Sequence, residues 1–317
     1  MTQPLILLGV SRSGTTLLRV VLDRSPGLAI PDESFFVPLL ARRNGRTIDA
    51  ERFLDDVSRI PTVRDWGLTP TDISERVRSG MPTGDAIATI FEAYAEAAGK
   101  PRWGDKTPMY MRHLALIEKL FPKAQYVHLI RDGRDAALSF LEMPEGTFTR
   151  TWGHPRTPAQ FACLWRKEVG DARALGRRVG PTRYLEVRYE ELVADPETVV
   201  WEICTFAAVA FESAMLDYTG SVDVSAKPHQ QRLLTAPTTG VRSWSEDMSA
   251  TNVAAFDAVA GDLLEDLGYA VGSGPRSRWQ AAIVRAWYDV RLAAWNATAS
   301  TVQRSPLWRR RHPRLSA

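Results

Sequence analysis

Cysteines, metal-ligand clusters and long apolar runs are scarce or missing in this sequence. Its 317 residues include only two cysteines, Cys163 and Cys204, too few for a disulfide framework. Both lie in stretches with helical patterning, so we expect buried thiols. No group of His, Cys and carboxylate residues has the spacing of a metal site, and we expect no metal. No apolar run reaches the roughly 18 residues of a membrane-spanning helix, and the start lacks a secretory pattern, so we expect a cytoplasmic protein.

A large charge of one sign is also missing, and the small net charge is unevenly placed. Residues 273–317 hold nine Arg against one Asp, a balance of +8, and since the whole chain carries +3, residues 1–272 carry about −5. A mildly acidic body argues against a nucleic-acid partner. We therefore expect one main domain, 1–272, followed by a basic amphipathic helix and tail, 273–317. That helix either contacts a membrane surface or an acidic partner, or packs on its own domain.

The sequence does contain a strand, a tight turn and a helix at its beginning. Residues 5–8 are apolar, Gly9 to Gly14 form a turn, and Thr15 begins a run of apolar and small residues that suits a helix. The N–H groups of such a loop and of the first helical turn point at one place, where the helix dipole also favours an anion. The pattern predicts a phosphate-binding loop. The alternative is a Gly-containing turn that binds no ligand.

The loop differs from that of nucleotide triphosphatases in the position of its positive charge. Thr15 stands where those enzymes have the Lys that holds the triphosphate, and Arg12 lies within the turn instead. We interpret this as a site for a donor with a short 5′ group. Lys106, in the polar stretch 103–108, is a candidate for a second cation at the leaving phosphate. The alternative is that Lys106 is a solvated loop lysine.

Two residues are candidates for a general base. The pattern predicts a short second strand at residues 28–30, which leads to Glu33. If this strand is the parallel neighbour of the first strand, Glu33 and Arg12 both emerge at the carboxyl ends, where open α/β sheets bind ligands. His154 lies in a long loop predicted between residues 143 and 158 and is a rival base.

Two further strands and their helices define the fold class. Residues 125–130 and 182–188 read as strands, and a helix after the first of them carries Ser139, two turns beyond Arg131. Both residues suit a second phosphate. Alternation of strands and helices predicts an α/β, P-loop-like three-layer fold with a central parallel sheet between helices. Residues 41–103 read as a helical cover over the acceptor site. Asp132 allows another interpretation, a magnesium-dependent P-loop kinase.

Five motifs in chain order resemble those of sulfotransferases that use 3′-phosphoadenosine 5′-phosphosulfate (PAPS). They are residues 9–16, 105–108, 130–139, 188–192 and 242–244. The first loop is more similar to that of bacterial and tyrosylprotein sulfotransferases than to that of the cytosolic phenol and steroid enzymes. Those enzymes have Lys at the position of Arg12 and Trp where this chain has Leu17.

The resemblance implies a role for each matching residue. The donor's 5′-phosphosulfate would contact the loop, its 3′-phosphate would contact Arg131 and Ser139, and its adenosine side would contact Tyr189 and Arg242. By similarity to the tyrosylprotein branch, Glu33 would be the base, and Arg12 and Lys106 would assist the transfer. The loop residues implied in binding are Ser11, Arg12, Ser13, Gly14, Thr15 and Thr16.

From these patterns we expect an enzyme that moves the sulfuryl group of PAPS to the hydroxyl of an acceptor, and that releases adenosine 3′,5′-bisphosphate (PAP). We expect the acceptor to be a small molecule. Two alternatives remain open at this point: a small-molecule kinase that uses ATP and Mg²⁺, and a nucleotide-binding protein without catalytic activity.

Overall fold

The computed structural model describes residues 3–143, 155–218 and 243–272, together with scattered helical residues between 279 and 294. His154 and Arg242, and most of the predicted loop around His154, lie outside these residues. The chain divides into two compact units. The sheet unit comprises Met1–Gly9, Gly14–Ile130 and Asp171–Thr239, and the helical unit comprises Val10–Ser13, Arg131–Gly170 and Gly240–Ala317.

The sheet unit is built on four parallel strands in the spatial order β2-β1-β3-β4. The strands are β1 (Leu5–Leu8), β2 (Gly104–Lys106), β3 (Gln125–Ile130) and β4 (Tyr184–Arg188). All residues of β1 and β3 are buried, as expected for parallel strands that are covered on both faces. The predicted α/β fold with a central parallel sheet is therefore confirmed.

One predicted strand differs from the structure. Residues 28–30 contribute only a single bridge, in which Ala29 pairs in parallel with Trp103. Ala29 accepts from the N–H of Gly104 over 2.8 Å, so this segment lies next to the start of β2 rather than next to β1. The neighbours of β1 are β3 and β2, and β2 is a strand that the sequence did not predict. Its three residues include a Gly and two charged side chains, which are unfavourable in strands.

Helices pack around this sheet within the same unit. Helix α1 (Thr15–Asp23) directly follows the first loop. Its apolar side chains join those of the strands in one core cluster that includes Leu18, Val21 and Val127. The last residues of α9 (Pro158–Val179), from Asp171 onward, also belong to this unit. The other α-helices of the unit are α2 (Val37–Asn44), α3 (Ala50–Ser58), α4 (Pro61–Asp65), α5 (Thr71–Ser74), α6 (Thr83–Ala97), α7 (Leu114–Leu120), α10 (Tyr189–Ala194) and α11 (Pro196–Ala207).

The segment predicted as a helical cover is indeed mostly helical, and aromatic rings hold it on β2. Phe91 of α6 stacks on Trp103, the residue before β2, with ring centroids 4.5 Å apart. Phe36 and Trp66 pack on Phe91 at 5.4 and 5.5 Å. Such pairs contribute about 0.5–1.5 kcal/mol each beyond their buried area. These ring contacts hold the segment that begins at Phe36 against the start of β2, the strand that carries Lys106.

The helical unit contains α8 (Gly133–Leu141), the first part of α9, α12 (Trp244–Asp247) and α13 (Ala250–Asp266). Its packing centre joins Gly133, Trp165 and Phe256, and a methyl group at Gly133 would meet both rings at less than 3 Å. The side chain of Ser249 caps α13 by accepting from the N–H of Asn252, as its sequence predicts.

Within the described part of the chain, no helix combines the length and the apolar character needed to cross a membrane.

Candidate active site

The amino end of α1 offers backbone N–H groups without a competing side chain. Gly14 is the N-cap, with φ +90°, and no side chain caps the helix. Its left-handed conformation turns the chain sharply from the loop into the helix. The ring of Tyr189 lies against this glycine so closely that a Cβ at Gly14 would sit 2.4 Å from Cδ2 of the ring. A nine-residue helix with open N–H groups suits an anion.

Lys106 connects the start of α1 with the predicted base. Its Nζ donates to Oε1 of Glu33 over 2.5 Å and to Oγ1 of Thr16 over 3.2 Å. The lysine side chain is 2% exposed and that of Glu33 is 29% exposed. Burial lowers the pKa of Lys106, and the neighbouring Glu33 carboxylate opposes that shift. The sheet unit therefore holds an acid and a base in contact, with the carboxylate still partly accessible.

The position of Lys106 follows from the sheet register. It lies at the carboxyl end of β2, opposite Leu7 of β1. β1 ends at Leu8 and leads directly into the first loop. Lys106 therefore lies at the same edge of the sheet as the start of that loop, where the parallel strands have their carboxyl ends. The sequence had left open whether Lys106 is a solvated loop residue, and its burial rules that out.

The segment before Glu33 is held on α1. Arg19 donates to the carbonyl of Ile30 over 3.1 Å and pairs with Asp32 at 3.1 Å. Asp23 at the end of the same helix accepts from the N–H of Ile30 over 2.8 Å. These bonds fix the chain on the amino side of Glu33 to a regular element.

A second set of polar groups lies directly beyond Glu33. Ser34, Asp105, Thr107 and Tyr110 are all buried. The backbone N–H of Ser34 donates to the hydroxyl of Thr107 over 3.0 Å, and Ser34 Oγ lies 2.7 Å from the hydroxyl of Tyr110. Burial raises the pKa of Asp105 to about 7, although hydrogen bonds from Ser34 and Thr107 lower it in part. Asp105 and Thr107 lie in the motif 105–108, but the sequence analysis assigned no role to any of these four residues.

In the helical unit, Arg12, Arg131 and Ser139 come together. Arg12 has φ +74°, and its Nε donates to Oγ of Ser139 over 2.9 Å. A guanidinium N–H of Arg131 donates to the backbone carbonyl of Arg12 over 3.2 Å. The sequence had assigned Arg12 to one end of the nucleotide and the other two residues to the opposite end. The long Arg12 side chain instead reaches the hydroxyl of Ser139.

The remaining loop residues form the turn itself. Ser13 donates its N–H to the carbonyl of Val10 over 3.0 Å, which closes the turn, and Ser11 is half-buried within it. The hydroxyl of Ser13 is buried and has no hydrogen-bond partner among the described residues. A buried hydroxyl without a partner costs about 1–3 kcal/mol, so this atom is suited to a ligand. Thr15, the first residue of α1, is buried as well.

Asp132 has a structural role that conflicts with magnesium binding. It caps α8 by accepting from the N–H of Arg134 over 2.9 Å. The guanidinium of Arg134 also donates to both carboxylate oxygens, over 3.0 and 2.7 Å. Arg134 is fully buried, pairs with Asp257 at 3.4 Å, and lies 3.6 Å from the centre of the Trp244 ring. A carboxylate engaged in this way is a poor metal ligand, which weakens the kinase interpretation.

Two other groups mentioned in the sequence analysis lie in the core. Cys163 and Cys204 are free and buried, as expected. Burial raises the pKa of each thiol to about 11, so neither is a reactive thiolate at neutral pH.

Comparison with known proteins identifies the family. The model of the sulfotransferase family matches residues 4–213. The chain is 26% identical over 281 residues to protein-tyrosine sulfotransferase A of Caenorhabditis elegans, which covers 86% of this chain and 69% of that protein. It is 26% identical over 330 residues to nodulation protein NoeE of Sinorhizobium fredii, with 91% and 74% covered.

A solved structure agrees with this result. The sulfotransferase domain of the olefin synthase of Synechococcus PCC 7002 superposes with a TM-score of 0.60 at 26% identity, covering 86% of this chain and 98% of that domain. The family match spans the first loop, β2 with Lys106, and α8 with Ser139. The chain therefore belongs to the sulfotransferase family and is a transferase of sulfuryl groups.

Proposed function

We propose that this enzyme transfers the sulfuryl group of PAPS to a hydroxyl of a small-molecule acceptor, with Glu33 as the general base. The observation that carries the proposal is the position of Lys106, whose ammonium group contacts both Glu33 and Thr16. One cation thus connects the candidate base with the helix end that suits a phosphate. A protein that only bound a nucleotide would need no carboxylate in that place.

Each of the two units, taken by itself, contains residues that suit an anionic group such as those of PAPS. In the sheet unit, the open amino end of α1 and Lys106 offer N–H groups and a positive charge to a 5′-phosphosulfate. In the helical unit, Arg12, Arg131 and Ser139 offer donors that suit a phosphate. In the same helical unit, the unpartnered Ser13 hydroxyl is a further donor for an anion. By family resemblance we assign the 3′-phosphate to Arg131 and Ser139, and the adenosine side to Tyr189 and Arg242.

When bound, PAPS supplies a sulfur atom that forms a bond to the acceptor oxygen while its bond to the 5′-phosphate oxygen breaks, and that oxygen keeps the bonding electrons. Glu33 accepts the hydroxyl proton, a role worth about 10²- to 10⁴-fold in rate. Lys106 stabilises the negative charge that grows on the phosphate side, and a preorganised donor of this kind contributes about 3 kcal/mol.

The proposed class of acceptor is argued from the charge of the chain and from the names of its relatives. The mildly acidic body disfavours a heavily sulfated polysaccharide. The relative from C. elegans is named a protein-tyrosine sulfotransferase, so a tyrosine-containing peptide is the second acceptor class to test. Phe35, 39% exposed and two residues after Glu33, lies on the segment where an acceptor would approach the base.

The proposal is tested by incubating the protein with PAPS and two acceptor panels, small alcohols and phenols in one and tyrosine peptides in the other. Mass spectrometry detects a gain of one sulfuryl group, and chromatography detects PAP. Calorimetry with PAP and with ATP plus Mg²⁺ is run in parallel. We expect sulfated small molecules and tight PAP binding; tight binding of ATP with Mg²⁺ and none of PAP would overturn the proposal in favour of a kinase. PAP binding with no product from any acceptor would favour a binding protein.

A further inference from the structure

Four buried side chains form a continuous hydrogen-bond chain beside the candidate base. Tyr110 lies 2.7 Å from Ser34 Oγ, which lies 3.2 Å from Thr107 Oγ1. The hydroxyl of Thr107 donates to Oδ1 of Asp105 over 3.2 Å. None of the four side chains belongs to the proposed reaction described above, and all of them lie in the sheet unit.

The direction of this chain follows from counting donors. Each hydroxyl has one hydrogen to donate. The hydrogen of Thr107 goes to Asp105, and Ser34 also forms a hydrogen bond with Asp105. The hydrogen of Ser34 is therefore directed towards Asp105, either directly or through Thr107, and Tyr110 donates to Ser34. In the reverse direction the hydrogen of Tyr110 would find no acceptor among the described residues. Asp105 is therefore the final acceptor of the whole chain.

The chain also holds the backbone on the carboxyl side of Glu33. The N–H of Ser34 donates to Thr107, and the N–H of Val37 donates to the hydroxyl of Tyr110 over 3.1 Å. Between them, Phe35 has φ +56°, a left-handed conformation that is unfavourable for an aromatic residue. Such a conformation persists only where the surroundings impose it. Here the surroundings are the hydroxyls of Thr107 and Tyr110.

We propose that Asp105 is a positioning residue for Glu33: by accepting the hydrogen-bond chain from Thr107, Ser34 and Tyr110, it keeps the bend at Phe35 and holds the Glu33 carboxylate against Lys106. This inference rests on the proposed function, in which Glu33 is the base. Asp105 itself is 1% exposed, so its carboxyl is shielded from solvent. Its Oδ2 has no hydrogen-bond partner among the described residues.

The first test measures how firmly residues 33–37 are held, and it requires no catalysed reaction. Hydrogen-exchange mass spectrometry is run on the full-length protein and on three variants, Asp105→Asn, Asp105→Leu and Thr107→Val. We expect faster exchange in peptides spanning residues 33–37 for Asp105→Leu and Thr107→Val. Asp105→Asn should preserve protection, because its amide oxygen still accepts from Thr107. The control is Thr89→Val, which removes a buried hydroxyl bonded to the carbonyl of Ala86 within α6. Unchanged exchange at 33–37 in Asp105→Leu would overturn the inference.

The second test measures kcat and KM for PAPS in the same variants. We expect Asp105→Leu and Thr107→Val to lower kcat about 10- to 100-fold, since small misplacement of a catalytic group has effects of this size. KM for PAPS should stay within about twofold, and Asp105→Asn should retain most of kcat. In the Glu33→Gln background, Asp105→Leu should cause no further loss, because its effect acts through Glu33.

The outcomes separate this inference from the proposed function. A further loss of kcat in the Glu33→Gln background, equal to that in the wild-type background, would overturn the positioning role. Wild-type protein that forms no sulfated product would overturn the proposed function, and with it the catalytic meaning of Asp105. The hydrogen-exchange result would still decide whether Asp105 holds the loop.

Discussion

The Nε of Arg12 donates a hydrogen bond over 2.9 Å to the Oγ of Ser139, a residue 127 positions later in the chain. The two residues had been assigned to opposite ends of one nucleotide. Their contact shows that a residue of the first loop and a residue of α8 share one polar region in the helical unit. A phosphate bound there would meet a guanidinium as well as a hydroxyl, and both donors would strengthen its binding.

The first prediction concerns this contact. Replacing Ser139 by Ala removes a donor to the phosphate and a partner of Arg12, and we expect PAP affinity to fall about 10- to 100-fold, the size expected for a hydrogen bond to a charged group. Calorimetric titration with PAP measures the change. Thr157→Ala is the control, since Thr157 is exposed and caps α9 in the same unit. An unchanged Kd in Ser139→Ala would show that this hydroxyl does not contact the nucleotide.

The second prediction concerns the candidate base. Glu33→Gln keeps an oxygen that can accept from Lys106 but removes the proton-accepting carboxylate, so we expect kcat to fall about 10²- to 10⁴-fold while the Kd for PAP changes less than about twofold. Steady-state kinetics and calorimetry measure the two quantities. Glu51→Gln is the matched control, because it makes the same change at an exposed carboxylate in the first turn of α3. Full activity in Glu33→Gln would assign the base role to another group, such as His154.

The third prediction concerns the loop glycine. An Ala at Gly14 would require an unfavourable φ and would press its Cβ against the Tyr189 ring. We expect a loss of about 2–4 kcal/mol in the free energy of unfolding, from backbone strain and from overpacking together. Urea denaturation measures it. Gly99→Ala is the control, since Gly99 has φ +69° and open space around it, and should lose only about 1 kcal/mol. Equal losses in both variants would mean that the ring contact is unimportant.

The fourth prediction follows from the pKa of Asp105. Burial raises that pKa from 3.8 to about 7, so the folded protein binds the proton more tightly than the unfolded chain. Protonation of Asp105 therefore stabilises the folded protein fully below about pH 4, and this contribution is lost as the pH rises to about 7. Over that interval the free energy of unfolding decreases by about 4 kcal/mol. The charged groups that act on Asp105 are Lys106, which opposes the shift, and Glu33, which adds to it.

Asp105→Asn isolates this contribution, because the amide does not titrate. We expect the free energy of unfolding of the wild type, relative to that of Asp105→Asn, to decrease across this pH interval and to level off above it. Urea denaturation at several pH values measures the difference. Parallel curves for the two proteins would show that Asp105 is ionised throughout.

The main features of the fold were predictable because they depend on local patterns. The apolar runs of β1 and β3 and the Ser249 cap before α13 are signals that nearby residues provide. The position of β2 is different, since Gly104 and Lys106 do not favour a strand by themselves. They form one because Leu5 and Leu7 of β1 supply partners, and no short window of the sequence contains that information.

The site was predictable in its residue types but less so in its contacts. The loop pattern pointed to Gly14 and Arg12, the predicted strands and loops made Glu33 and Lys106 candidates, and family resemblance suggested their roles. The hydrogen-bond chain that ends at Asp105 joins residues more than 70 positions apart. It depends on which hydroxyls the folded chain buries together, and periodicity does not reveal this.

Lys106 lies on a strand whose backbone is paired with β1, whereas Glu33 lies on a bent segment between α1 and α2. The lysine that serves the common donor is thus part of the sheet itself. The base that meets the acceptor is carried by a connection outside the strands, which side-chain hydroxyls hold in place. Attempts to redirect this enzyme to new alcohols should accordingly vary the exposed side chain of Phe35, and leave β2 and the buried Phe36 unaltered.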